Sequence, residues 1–230
     1  MSIEIDFHPV QFEILRALLF RPEAKFSQLN LSGLTNDHFT FHIKKLVERG
    51  LVLKNGVKYG LTDKGKEFAN RLDTEVNKIE RQAKLAVLVV GVQAGGEVKY
   101  LVQKRLKQPY YGFHGFVSGK IKWGEKLEEA AKREFEEETG LKGEVELVGV
   151  EHKIDTKEGV VLEDKYFYIF RVTMPERELV VDFEGGKNMW LTESQLKKTE
   201  KIFGDMFDII EVVKGSELTI LEREFEITEY

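Results

Sequence analysis

"GKIKWGEKLEEAAKREFEEETGL", residues 119–141, is dense in glutamate, a good helix former, and invites reading as an ordinary solvated helix. Its periodicity says more. Turned at about 100° per residue, Leu127, Ala130, Ala131 and Phe135 form an apolar stripe that should meet a core. Glu134 and Glu138 fall inside that stripe, with Glu137 on its edge. Glu128, Glu129, Lys132 and Glu136 take the opposite, solvated face. An unpaired anion on an inward face is very costly, so positive charge has to meet these carboxylates.

The surrounding chain has 230 residues, enough for two small domains or one large one. Its 42% hydrophobic content is that of a globular protein with a real core. It has no cysteine, which removes disulfides, thiolate metal sites and cysteine nucleophiles together and makes a reducing cytoplasm the expected location. No apolar run is long enough to span a bilayer and no leader precedes the first helix, so no membrane partner is expected. The net charge of −5 is uneven: residues 1–84 carry +3 and the remainder −8. The first part is too mildly basic for charge alone to announce nucleic-acid binding, and the second suits metal better than bare phosphate.

Read in order, "PVQFEILRALLF" predicts a helix with Phe12, Ile14, Leu15, Leu18 and Leu19 inward. "KFSQLN" predicts a short helical turn, and "TNDHFTFHIKKLVERG" a helix from a Thr35/Asn36 cap to Gly50, with Phe39, Ile43, Leu46 and Val47 inward. "LVLKNGVKYGLT" predicts a hairpin around Asn55-Gly56. This order resembles a winged helix-turn-helix over residues 7–75. The resemblance implies Asn36, His38, Thr40, Phe41, Lys44 and Lys45 as readers of double-stranded DNA, with Lys54 and Lys58 on the wing for phosphates. Asp37 and Glu48 oppose phosphate, and winged helices also dock proteins, so both partners stay open. "DKGKEFANRLDTEVNKIERQAK" keeps a stripe of Phe68, Leu72, Val76 and Ile79 and predicts a helical junction, one that orients two domains or pairs with its twin in a homodimer.

From residue 85 the period changes. "KLAVLVVGVQ" and "VKYLVQKRL" predict strands joined at Gly95-Gly96, followed after a loop by the glutamate-rich helix. Then come strands at "EVELVGVEHKI" and "DKYFYIFRVTM", a loop at "VDFEGGKNMW", helices from Thr192 and at "DMFDIIEVV", and a last strand at "ELTILEREFEIT". Mixed strands with helices on both faces predict an α/β/α sandwich with a mixed sheet. The expected division is residues 1–82, a winged helix with a helical linker (α+β), and 83–230, the sandwich.

Gly119, Glu125 and the run Arg133-Glu134-Phe135-Glu136-Glu137-Glu138-Thr139-Gly140-Leu141 fill every fixed position of G-x5-E-x7-R-E-U-x-E-E-x-G-U, with Phe135 where a bulky aliphatic is usual. This is the Nudix box, and residues 85–215 resemble a Nudix hydrolase domain. Glu134, Glu137 and Glu138 stand at i, i+3 and i+4, so their carboxylates are expected to converge, and converging oxygens suit Mg²⁺ or Mn²⁺. Arg133, four before Glu137, is placed to orient a carboxylate. The resemblance implies metal ligation by Glu134, Glu137, Glu138 and the Ser118 carbonyl, at a place where glycine is usual. It also implies attack of water on the diphosphate of a nucleoside diphosphate derivative, with metal neutralising the oxygens and a glutamate as base. Glu134 is the first candidate base, Glu184 the distal one and Glu163 the reserve. Arg105, Tyr111 and Phe113 are candidate substrate contacts; His114 and Trp190 read as structural. A rival reading is a transcription regulator whose Nudix part senses a nucleotide such as ADP-ribose, although such regulators usually carry that part first.

Overall fold

The structure, a computed structural model, describes residues 7–31, 33–73, 78–79, 82–173 and 175–230. The chain divides into two compact units, Met1–Arg81 and Gln82–Tyr230.

The first unit runs α1 (Pro9–Phe20), β1 (Ala24–Lys25), α2 (Phe26–Leu29), α3 (Asn36–Glu48), β2 (Val52–Asn55), β3 (Lys58–Leu61) and α4 (Asp63–Ala69). His8 caps α1 and Pro9 opens it, where its missing N–H costs nothing. Ile14, Leu15, Leu18, Phe39, Ile43 and Leu46 bring the inner faces of α1 and α3 together in one core, each buried side chain contributing about 1.5–3 kcal/mol. β1 and β2 flank β3, and the hairpin turns on Gly56 and Val57 between paired Asn55 and Lys58. Val47, expected inward, is 38% exposed. Thr35 precedes α3 without a side-chain capping bond.

Among the described residues the expected helix does not continue through the junction. Helix α4 ends at Ala69, where the Thr62 hydroxyl has capped its start. Beyond it, β4 (Leu72–Asp73) pairs antiparallel with β5 (Lys78–Ile79), so Leu72 and Ile79 face each other across a ladder. Buried Leu72 joins the core of the first unit instead of continuing a helical stripe. Val76 lies outside the described residues.

The second unit contains β6 (Lys84–Gln93), β7 (Lys99–Arg105), β8 (His114–Gly115), β9 (Val117–Lys120), α5 (Leu127–Thr139), β10 (Val145–Lys157), β11 (Val160–Thr173), β12 (Asp182–Phe183), β13 (Gly186–Thr192), α6 (Glu193–Leu196), α7 (Met206–Lys214) and β14 (Thr219–Glu226). Its sheet has the order β12-β13-β7-β6-β11-β10-β14, with β8 on β7 and β9 on β6. It is mixed: β6/β11 and β10/β14 are parallel, the other pairs antiparallel. "VDFEGGKNMW", expected as a loop, is the β12–β13 hairpin, turning at Glu184-Gly185.

The period-2 alternation of β6 serves two cores. Val87 and Val89 pack with Ala130, Ala131 and Phe135 of α5. Leu88 and Val90 pack with Met206, Ile209 and Ile210 of α7 and Leu196 of α6. The sheet is therefore covered on both faces, the α/β/α sandwich that the order of elements implied.

Candidate functional site

Helix α5 is the stretch quoted at the outset. Ala130, Ala131 and Phe135 are fully buried, and Gly140 closes the helix at φ 72°, the left-handed backbone that favours glycine. The positive charge demanded by its inward glutamates comes largely from the helix itself. The Arg133 guanidinium donates to Glu125 at 2.6 and 2.9 Å, to Glu134 at 2.6 Å, and to Glu137 at 3.2 Å. These bonds raise the Arg133 pKa further, while its bond and that of the Lys122 N–H hold Glu125 down at about 2.

The three carboxylates expected to converge take different partners. Arg133 draws Glu134 and Glu137 to itself, and Glu137 is largely exposed, whereas Glu138 has Lys107 Nζ at 4.0 Å. Among the described residues no three His, Asp or Glu side chains stand gathered as a metal cluster. Burial raises the Glu138 carboxyl above its ordinary value, with Lys107 and Arg105 pulling the other way.

Strand β9 brings the start of the box to the helix, pairing Val87 with Gly119 and Leu88 with Ser118 of the same sheet. A Cβ at Gly119 would lie 1.9 Å from the Glu134 carboxyl carbon. Only glycine lets the Glu134 carboxylate rest on this backbone. Ser118 and Glu138 then border a cavity of about 110 Å³. Arg105, Lys107 and Tyr110 form one side of it, Phe116, Phe183 and Phe203 supply apolar wall, and Lys153, Asp155, Lys165 and Asp205 give it a charged lining.

Those charged groups were not anticipated. Glu151, Lys153 and Asp155 alternate along β10 and all face inward, at 0, 5 and 3% exposure. Lys153 Nζ donates to Asp205 Oδ2 at 2.6 Å, and Tyr110 Oη to Asp155 Oδ2 at 2.6 Å. Burial and that bond push the Tyr110 hydroxyl well up. Neither Glu151 oxygen has a hydrogen-bond partner, and burial, with Asp205 beside it, pushes Glu151 up to about 8. Charged residues at i, i+2 and i+4 on a strand are the signal that could have revealed this lining.

The proposed substrate contacts separate. Arg105 borders the cavity but spends its guanidinium on the carbonyls of Lys107, Gln108 and Pro109, bracing the loop. Tyr111 is 56% exposed, and Phe113 packs on Tyr110 and Phe203; neither borders the cavity, where Tyr110 and Phe203 stand instead. His114 lies against the Glu200 carbonyl at 3.1 Å. Exposed Glu184 sits in the β12–β13 turn between Phe183 and Gly185, both on the cavity wall. Glu163, the reserve candidate, is buried in β11 and held by Lys84 and by the Tyr230 hydroxyl, each at 2.6 Å.

In the first unit, Asn36, His38 and Lys44 are exposed on α3, and Thr40 is half-buried. Thr40, Lys44 and Lys54 border a groove between α3 and the β2–β3 hairpin. Lys45 is paired with Glu48 at 3.1 Å and Lys58 with Glu23 at 2.9 Å, which reduces the charge both offer to phosphate. Phe41 is exposed.

The family model of the NUDIX domain matches residues 82–211. Among solved structures, a MutT protein from Bacillus halodurans is similar at TM-score 0.53 and 22% identity, covering 62% of this chain and 90% of its own. The NUDIX domain of Shewanella oneidensis NrtR, crystallised with ADP ribose, is similar at TM-score 0.52 and 17% identity, covering 67% of this chain and 97% of its own. At such identities the likeness carries the fold and not the substrate. No curated protein matches the chain in sequence. The matched span runs from the strand that carries both cores, through the complete box on β9 and α5, into α7, and the chain belongs to the NUDIX domain family.

Proposed function

We propose that this chain is a Mg²⁺-dependent NUDIX hydrolase that cleaves the diphosphate of a nucleoside diphosphate linked to another moiety. In this reading the first unit is a winged helix-turn-helix that docks on DNA or on a partner protein. The observation that carries the hydrolase reading is the position of Glu138. It is an inward carboxylate of the box helix on the wall of a cavity that also presents Ser118, Arg105 and Lys107.

The donor set fits a hard cation: Glu134, Glu137, Glu138 and the Ser118 carbonyl offer only oxygen, and the Gly119 backbone leaves room for the Glu134 carboxylate. When bound, Mg²⁺ would neutralise the diphosphate oxygens and lower the pKa of a water. The chain's own residues do the rest. Lys107 and Lys165 meet the substrate's negative charge. Tyr110 and Phe203 offer aromatic faces to a planar group. Arg133 fixes Glu134 through Oε1, so that Oε2 takes the proton of the attacking water; Glu184 is the second candidate for that role.

A second reading is a regulator whose NUDIX domain senses a nucleotide such as ADP-ribose. It is favoured by the attached first unit and by the ADP ribose complex of the similarly folded NrtR domain.

One experiment separates them: product release with Mg²⁺ from a panel of nucleoside diphosphate derivatives, wild type beside Glu138→Gln. Turnover of one class, lost in a variant with unchanged circular dichroism, supports the hydrolase. No turnover, with thermal stabilisation by one compound, overturns it in favour of the sensor.

A further inference from the structure

We propose that His8, His38 and His42 form a binding site for a transition-metal ion of the Zn²⁺ class in the first unit, separate from the carboxylates of the box. His38 and His42 stand at i and i+4, one above the other on α3. The packing of α1 against α3 brings His8, the residue that caps α1, to the same place. The ring centroids lie 4.2 Å apart for His8 and His42, 5.0 Å for His38 and His42, and 6.3 Å for His8 and His38. With Zn–N near 2.1 Å a ligating imidazole has its centroid about 3.2 Å from the metal, so two such rings in a tetrahedral site are about 5.2 Å apart. The three observed separations bracket that value.

The second observation concerns His42. It is 3% exposed, yet neither ring nitrogen has a hydrogen-bond partner. A buried imidazole without a partner is a costly arrangement that a metal ion would relieve. As placed, His8 and His42 stack at 28° and do not aim their nitrogens at one point, in keeping with the absence of any ready-made cluster among the described residues. His8 and His38 are exposed, and rotation about the broad χ2 torsion of a histidine re-aims each ring. His8 would ligate through Nδ1, giving up the 3.3 Å bond from the Val10 N–H, and water would complete the coordination. Imidazole suits Zn²⁺, Ni²⁺ or Cu²⁺ over Mg²⁺, so the two sites select different ions. The ion would pin the start of α1 to the start of α3, the helix proposed to meet DNA.

The test is Co²⁺ titration of the full-length, tag-free protein in excess Mg²⁺, which keeps the box carboxylates engaged, followed in the visible spectrum. One equivalent of Co²⁺ is expected to give the strong absorption of a four-coordinate site, discharged by Zn²⁺. Affinity should fall at least about tenfold in His38→Gln and in His8→Gln, both exposed positions that leave the core intact, and stay unchanged in Glu137→Gln. The proposal is overturned by an absent visible band, by unchanged affinity in both histidine variants, or by loss in Glu137→Gln alone.

Discussion

Replacing Glu151 by glutamine should change how stability depends on pH and leave almost everything else alone. The carboxyl is fully buried, lacks a hydrogen-bond partner, and is pushed up from 4.5 to about 8 by burial and by Asp205. It is an acid whose folded pKa is raised. Between pH 4.5 and 8 the folded chain therefore keeps a proton that the unfolded chain releases, and stability falls as pH rises. The slope reaches about 1.4 kcal/mol per pH unit, or roughly 2–3 kcal/mol between pH 5.5 and 7.5. Glutamine has the shape of the protonated acid and does not titrate. The stability of the variant relative to wild type should grow by that amount from pH 5.5 to pH 7.5, about 1–2 M in the urea midpoint. Both tryptophans, Trp123 and Trp190, lie in the second unit, and half-buried Trp190 makes fluorescence a reporter of its unfolding. Parallel stability profiles for the two proteins across this range would refute the reasoning, because they would mean that Glu151 is ionised in the folded chain.

Gly119→Ala drives a methyl group into the Glu134 carboxylate and should cut turnover at least about tenfold while the circular dichroism spectrum is kept, measured by the release assay. Arg133→Met leaves Glu125, Glu134 and Glu137 without their shared counter-charge; the thermal midpoint and turnover should both fall, by roughly 1–3 kcal/mol in stability, and Arg133→Lys should not restore turnover because it lacks the forked geometry. Lys44→Glu with Lys45→Glu should weaken retention on a double-stranded DNA column, with most of the effect from Lys44, since Lys45 is already paired with Glu48. Unchanged retention would remove DNA from the reading of the first unit.

The sequence was most legible where one periodicity ran without competition. The box spacing set α5, its inward face and its cap at Gly140, and the apolar runs at 84–93 and 164–174 read as strands that became β6 and the later part of β11, which starts earlier, at Val160. It was least legible where two structures share a pattern. Phe68, Leu72, Val76 and Ile79 fit a helical stripe, yet Leu72 and Ile79 also face each other across a short ladder, and tertiary burial of Leu72 decides between them. The glycine pair at 185–186 reads as loop, but a hairpin turn needs such residues too. Spacing placed Glu134, Glu137 and Glu138 on one helix face without revealing that Arg133 would claim two of them. Of the loop aromatics, only the third dimension tells that Tyr110 points into the cavity while Tyr111 faces solvent. The same limit hid Asp205, which meets Lys153 across 52 positions of sequence.

Strand β6 has a consequence for any attempt to remodel this protein. Its successive side chains belong alternately to the core under α5 and the core under α7, and its edge holds β9 with Val87 opposite Gly119 and Leu88 opposite Ser118. The strand therefore acts as a ruler shared by two cores and the box. A change of volume at Val87 or Leu88 would be passed to the backbone on which Glu134 rests, so folding and chemistry are not separately adjustable there. Two segments border the cavity without belonging to either core: the loop at 107–113, held by Arg105 and by the Tyr110–Asp155 bond, and the turn at 184–185. New specificity should be sought in those two places, with β6 left untouched.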